Sequence, residues 1–220
     1  MERYAKQILF SDIGREGQEK LKNSKVVIIG CGALGTVISN NLARSGVGYI
    51  KIVDRDYIEL SNLQRQLLFD EEDIRKALPK SIAAKRKLEK INSDIEIESE
   101  VVDLNSKNIE KICRDMDLIL DATDNFDTRY LINDISLKLN IPWIYGGVMG
   151  SMGMISPIIP GKTPCFRCFM PQPPTPGSVE TCDTVGVLNG ITSIIGSFQS
   201  TEALKILTSN TEKLIKGILY

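Results

Sequence analysis

"KVVIIGCGALGTVISNNLARSG", residues 25–46, decides how the rest of the chain is read. It opens with a β-branched run over 25–30 that ends in glycine, as a buried parallel strand does. From 33 to 46 the period changes. Leu34, Val37, Ile38 and Leu42 fall on one helical stripe, and Gly46 ends it. Between the two lies "GCGALG", which puts Gly30, Gly32 and Gly35 at a strand–helix turn. Glycines there permit a tight turn, close approach of a phosphate to the backbone, and helix–strand packing. The helix N-terminus adds N–H donors and the positive end of a dipole. Alone the motif is weak, because glycines also occupy such turns for packing only. Its context strengthens it. "YIKIVD" (49–54) reads as a second strand, and Asp54 closes it about 20 residues on, where an acid binds ribose hydroxyls. The unit reads as nucleotide-binding, and at this point an NAD enzyme and an ATP enzyme look alike.

Outward from this unit, helices and strands alternate. "GREGQEKLKN" before it is helical. After it come a helix over 78–92, a half-exposed strand over 94–102, a short helix in "SKNIEKICRDM" and a buried strand over 117–123. "DNFDTRYLINDISLKLN" is helical, and 141–148 reads as a fifth strand. Such alternation implies a parallel sheet with helices on both faces. The composition then shifts. "MGMISPIIPGKTPCFRCFMPQPPTPGSVETC" is rich in Gly and Pro, and reads as a strand or two followed by an irregular surface loop. Residues 185–209 read as a long apolar core helix, one side of which is open to a subunit interface. The expected fold is α/β and Rossmann-like, with a mostly parallel sheet, a Gly/Pro-rich loop region and a long apolar helix. One domain spans 1–220: an N-terminal helical segment over about 1–24, a nucleotide-binding core over 25–148, and a crossover loop with the C-terminal helix over 149–220.

Composition bounds the chemistry. With 220 residues, 42% hydrophobic and 25% charged, the chain is ordinary for a soluble globular protein. A net charge of -1 gives no bulk attraction for nucleic acid or membrane. No apolar run approaches the length of a membrane span, and the N-terminus has no apolar signal-peptide core. Five cysteines, an odd number, without such a leader point to a reducing cytoplasm and free thiols. The chain has no histidine, the commonest general base. Its chemistry must use carboxylates, amines, guanidinium groups, thiols or a bound metal.

"SNLQRQ" (61–66) offers Asn62, Arg65 and Gln66 in a loop where a dehydrogenase has no need of them. A triphosphate site does, since Arg forks onto phosphate oxygens. Lys80, opening a helix after Pro79, is a second phosphate candidate. "DATDN" (121–125) puts Asp121, Asp124 and Asn125 at the carboxyl edge of the sheet, where open α/β sheets bind ligands. A carboxylate beside polyphosphate anchors Mg²⁺. The competing reading is a helix N-cap. Asp124 is assigned to the metal and Asp121 to the structural role. Cys31 and Cys113 read as packed thiols.

"GCGALG", "DRDYIELSNLQRQ", "LPKSIAAKRKLEKIN", "DATDN" and "CFRC", in this order from about residue 3 to 208, resemble the ThiF/MoeB/HesA family, bacterial relatives of ubiquitin-activating enzymes. The resemblance implies adenylation of the C-terminal carboxylate of a ubiquitin-like sulfur carrier with ATP and Mg²⁺, in thiamine, molybdopterin or related sulfur-transfer biosynthesis. It implies that Gly30, Gly32 and Gly35 line the nucleotide and Asp54 holds the ribose. Asn62, Arg65, Gln66, Lys80 and Asn125 fall on its nucleotide-binding positions, and Asp124 on its Mg²⁺ position. It further implies a homodimer in which an arginine reaches the neighbour's ATP. Here "RYAKQ" carries Lys6 at that position, leaving the role to Lys6 or Arg3. Cys182 matches the family's reactive cysteine, which takes an acyl group or bonds to the carrier's sulfur in some relatives. A cysteine desulfurase or other sulfurtransferase is an implied partner.

Cys165 and Cys168 match half of the family's Cys₄ zinc site, but no second CxxC follows in this sequence. Either the protein has lost zinc, or a C-terminal segment is missing, or the pair binds metal with Cys182 or a partner subunit. The reading favours "CFRC" as a mark of family over a working zinc site. It ranks a redox role last, because the pair is not read as opening a helix after a strand. Three rival functions stand beside adenylation of a carrier: adenylation of another carboxylate on a tRNA base or peptide, an NAD-dependent oxidoreductase, and a scaffold without catalysis.

Overall fold

A β-branched run is satisfied when both of its faces are covered, and that is how this chain uses its runs. The computed structural model describes residues 2–175 and 182–220, with Cys182 and Asp183 as backbone only. In chain order, α1 (Ala5–Ile8) and α2 (Gly14–Asn23) lead to β1 (Lys25–Ile29), α3 (Ala33–Ser45) and β2 (Tyr49–Val53). Then come α4 (Glu71–Arg75), α5 (Lys80–Ile91), β3 (Glu96–Glu100), α6 (Ile109–Cys113), β4 (Leu118–Asp121) and α7 (Phe126–Leu139). β5 (Trp143–Met149), β6 (Met152–Ile158), α8 (Phe166–Phe169), α9 (Cys182–Val185) and α10 (Asn189–Leu207) complete the described elements. The six strands form one sheet in the order β3-β2-β1-β4-β5-β6. All neighbours are parallel except β5 and β6, which form an antiparallel hairpin.

Alternation along the strands divides the core in two. Val26, Ile28, Ile50, Ile52, Leu118, Leu120 and Ile144 face a layer containing Leu34, Ile38, Leu42, Ala84, Leu88, Ile195 and Ala203 of α3, α5 and α10. Val27, Ile29, Ile119, Trp143 and Tyr145 face the other way, onto Ile109, Ile112, Tyr130, Ile132 and Ile135 of α6 and α7. Before β1, α2 also joins the first layer through Leu21. At the outer edge of β6, Leu219 exchanges both backbone hydrogen bonds with Ile155, at 3.0 and 3.1 Å, which covers part of an otherwise open strand.

Three expectations need correction. The stretch around "CFRC" is not wholly irregular. Cys165 precedes the single-turn helix α8, and Phe166 is fully buried. Its ring contacts those of Tyr130, Trp143, Tyr145 and Phe169 at 5.1–5.9 Å between centroids. An aromatic surrounded by aromatics recovers enough buried area to order a Pro-rich segment. Second, neither Asp121 nor Asp124 caps α7. The cap is Asn125, whose Oδ1 accepts the Thr128 N–H at 2.8 Å. Third, the C-terminal helix begins at Asn189, since Gly186 and Leu188 make backbone bonds to Gly150 instead. Its buried face carries Thr192, Gln199, Ser200 and Glu202 beside Ile195, Ala203 and Leu207, so it is less apolar inside than its composition suggests.

Phe166→Ala is expected to lower stability by about 3–5 kcal/mol, the range for truncating a fully packed aromatic. Urea denaturation checks this. A loss below about 1 kcal/mol would show that the segment is a surface loop after all.

Candidate active site

The site is built around the turn from β1 into α3. Gly30 has φ +94°, and a Cβ there would stand 2.4 Å from the Ala122 carbonyl oxygen at the end of β4. A Cβ on Gly35 would stand 2.2 Å from the Gly30 carbonyl oxygen. These two glycines are required by backbone packing. Gly32 differs: its nearest neighbour would be the Gln66 Nε2 at 3.7 Å, so its outer side is open to a ligand. Of the three glycines assigned to a nucleotide, Gly32 is the one with room beside it.

Four other segments converge on this turn. Asp54, just past β2, accepts the Cys31 N–H at 2.6 Å and the Asp56 N–H at 2.7 Å. Burial pushes its carboxyl above the ordinary value, against the pull of those two N–H groups and of Lys80. Lys80 opens α5, is almost buried, and places its Nζ 3.2 Å from Asp56 Oδ2. Its carbonyl lies 3.8 Å from the Cys31 Sγ. The Cys31 thiol is driven well up by burial and then by Asp54, which fits a packed, unreactive cysteine. From the 61–66 loop, Gln66 is buried and its Oε1 has no hydrogen-bond partner. A buried acceptor left alone costs about 1–3 kcal/mol, and a hydroxyl or amine on a ligand would satisfy it. Asn62 is held locally, its Oδ1 accepting the Glu59 N–H. Arg65 donates to the Ser61 carbonyl at 3.0 Å and is otherwise half-exposed.

The fourth segment is the 121–125 loop, whose Ala122 and Thr123 backbone touches the glycine turn. Asp121 is fully buried, and burial raises its carboxyl. It is paired with Arg129 at 3.2 Å. Asp124 is exposed at the edge. A glycine turn with a helix N-terminus, the Lys80 cation, an orphan acceptor and a loop carrying an exposed carboxylate suits an anionic nucleotide with its counter-ion. One carboxylate plus substrate phosphates is an ordinary Mg²⁺ donor set. Sequence reading missed Asp56, Arg129 and Gln199. The signals available were the second acid of "DRD" and the polar Gln199 inside an apolar helix.

The remaining candidates lie elsewhere. Lys6 is exposed beside Gln7, which binds the Ser45 carbonyl at the C-terminal end of α3. That is the opposite end of a 13-residue helix, about 20 Å from the glycine turn. Arg3 is engaged there too, with Asp94 at 3.1 Å and the Ile91 carbonyl at 2.9 Å. Cys165 and Cys168 bring their Sγ atoms to 3.6 Å, at the start of a helix following β6, contrary to the expectation about that pair. No group of three or more His, Cys, Asp or Glu among the described residues could hold a metal. Two thiolates do not make a closed zinc centre. The side chain of Cys182 and most of the Pro-rich loop before it lie outside the described residues.

The sequence model of the ThiF family matches residues 4–220. The sulfur carrier protein ThiS adenylyltransferase of Bacillus subtilis (strain 168) is 48% identical over 206 residues, covering 94% of this chain and 61% of that protein. The sulfur carrier protein adenylyltransferase of Thermus thermophilus is 39% identical, covering 94% of this chain and 78% of that one. Among solved structures, E. coli MccB with ATP superposes with a TM-score of 0.84 at 28% identity, over 96% of this chain and 65% of its own. The chain thus spans less than two thirds of the length of the B. subtilis relative and of MccB.

Gly30→Ala is expected to cost at least about 2 kcal/mol in chemical denaturation, from strain and overlap together. Gly32→Ala should stay within about 1 kcal/mol of the parent and still weaken ATP binding measured by calorimetry. Equal destabilisation by the two would refute the division of roles.

Proposed function

The chain belongs to the ThiF family, and on that footing we propose that it is an ATP-dependent adenylyltransferase that activates the C-terminal carboxylate of a ubiquitin-like sulfur carrier protein. The observation that supports this best is the convergence of Gly32, Asp54, Gln66, Lys80 and the Asp124 loop on one turn, in a chain resembling ThiS adenylyltransferases. The carrier carboxylate attacks the α-phosphorus of ATP, forming a C–O–P linkage, and pyrophosphate departs. Two anions must meet, so the barrier is largely electrostatic and positional, and no histidine is needed.

In this reading the N–H groups at the start of α3 cradle phosphate beside Gly32. Asp54, its orientation fixed by two backbone N–H groups, accepts from the ribose hydroxyls. Gln66 and Asn62 contact the nucleoside side, and Arg65 forks onto phosphate oxygens. Lys80 leaves Asp56 to neutralise the charge of the departing pyrophosphate. Asp124 and Asn125 would hold Mg²⁺ and phosphate. The ion supplies charge neutralisation when bound. The described residues do not fit a closed zinc site, and no step runs through one.

The whole chain, 1–220, acts as a single adenylation domain, since α2 and α10 both pack into the layer that covers the sheet. We read it as a homodimer. Ile194 and Phe198 stand exposed on α10, and Lys6, remote from its own site, would serve the neighbour's. Cys182 would attack the carrier acyl-adenylate, forming a thioester with release of AMP; or, where the persulfide of a cysteine desulfurase or other sulfurtransferase has displaced AMP, its thiol would exchange onto the carrier's sulfur and release the sulfurtransferase thiol. No helix among the described residues is long and apolar enough to cross a membrane. A nucleotide enzyme with free thiols belongs in the cytoplasm.

ATP–pyrophosphate exchange with purified carriers tests the reading. Exchange should depend on carrier and fall about 10²–10³-fold in Asp124→Ala. Absence of exchange with any carrier, together with tight NAD(H) binding, would overturn it. Cys182→Ala should leave exchange within about threefold of the parent while abolishing any covalent carrier adduct. An adduct that persists would free Cys182 of the role.

A further inference from the structure

Beneath the site lies a buried charge pair that the adenylation chemistry does not touch directly. Asp121, the last residue of β4, has no exposed surface, and Arg129 in α7 is 7% exposed. The guanidinium Nε donates to Asp121 Oδ2 at 3.2 Å, and Nη2 donates to the Thr123 carbonyl at 2.7 Å and the Gly146 carbonyl at 3.3 Å. Its plane lies near the rings of Phe126 and Tyr145, 5.4 and 5.2 Å from their centroids. The other oxygen of Asp121 takes the Thr123 N–H at 2.9 Å and the Thr123 hydroxyl at 2.7 Å.

A buried ion pair contributes little net stability compared with apolar residues of the same volume. Stability alone therefore does not account for these charges. Their geometry does suggest a use. Asp121 and Arg129 together hold the N–H, the hydroxyl and the carbonyl of one residue, Thr123. The carbonyl gripped by Nη2 belongs to the peptide that leads into Asp124. A planar fork is needed to reach acceptors on β4, on the loop and on β5 at once, and a lysine ammonium lacks it.

We propose that Arg129 is a positioning residue that, with Asp121, clamps Thr123 from inside the sheet and so fixes where the Asp124 carboxylate stands beside the glycine turn. The inference rests on the reading that Asp124 serves the nucleotide.

Arg129→Lys keeps the charge opposite Asp121, so the fold should stand, but the clamp on Thr123 is lost. The kcat of pyrophosphate exchange should fall about a hundredfold, the effect of a displacement near 1 Å. The KM for ATP should move less than about threefold. Amide hydrogen exchange over 122–126 should quicken while the sheet strands keep their protection. The double variant Asp121→Asn/Arg129→Met removes both charges. It should melt within about 5 °C of the parent and be as impaired in kcat as Arg129→Lys. If either variant folds with kcat within about threefold of the parent, the proposal falls. It falls equally if activity declines only in proportion to the folded fraction. Asp124→Ala, measured alongside, separates the two layers. An active Asp124→Ala removes the adenylation role of Asp124 and this inference with it. An inactive Asp124→Ala beside an active Arg129→Lys removes the inference alone.

Discussion

The structure depends on a place where no side chain fits. Gly30 meets the end of β4 and Gly35 meets Gly30, both backbone against backbone. That contact sets the ends of β1 and β4 together at the middle of the sheet, where the strand order reverses direction. α3 leaves β1 on one face and α7 leaves β4 on the other, as the two core layers show. A crevice opens between diverging helices, and loops from β2, α5 and the 61–66 segment have one small volume to enter. Had the glycine turn been looser, each loop would have needed its own support to reach the same point.

The polar groups around this volume are arranged in tiers. Deepest is the Asp121–Arg129 pair, with Gln199 of α10 donating to the Asp121 carbonyl at 2.7 Å. Above it stand Asp54 and Lys80, partly buried and tied to backbone or to Asp56. At the rim are the exposed Asp124 and the half-exposed Arg65. Burial thus falls from the core outward, and the groups read as touching substrate rest on groups that touch only protein. Stability itself comes from the two apolar layers, because buried charge pairs roughly break even against their desolvation.

How much of this the sequence discloses follows from which interactions are local. The β1 turn and α3 are legible because a period of two gives way to a helical stripe within 22 residues, and Asp54 lies a short, regular distance on. Asn62, Arg65, Gln66 and Lys80 are legible as candidates through motif order. The cap of α7 is not, because Asp121, Asp124 and Asn125 are all good capping residues and only backbone geometry selects Asn125. Phe166 is hidden by its Pro-rich neighbours, since three of the four rings that order it, those of Tyr130, Trp143 and Tyr145, are distant in sequence. The Asp121–Arg129 clamp joins a strand end to a helix face, and the role of Gln199 depends on a strand 78 residues away. Such pairings have no periodicity to read.

The bond between Lys80 and Asp56 has a consequence for selectivity. With Asp56 as its resident counter-ion, Lys80 is already neutralised before any ligand arrives. Entry of a ligand is therefore an ion exchange, and the incoming anion competes with a tethered carboxylate whose local concentration is very high. A nucleoside brings no charge to that exchange and a monophosphate brings little. A polyphosphate brings several charges at fixed spacing and, on the proposed assignment, would meet both Lys80 and Arg65. On the proposed assignment, the site would discriminate nucleotides by their degree of phosphorylation.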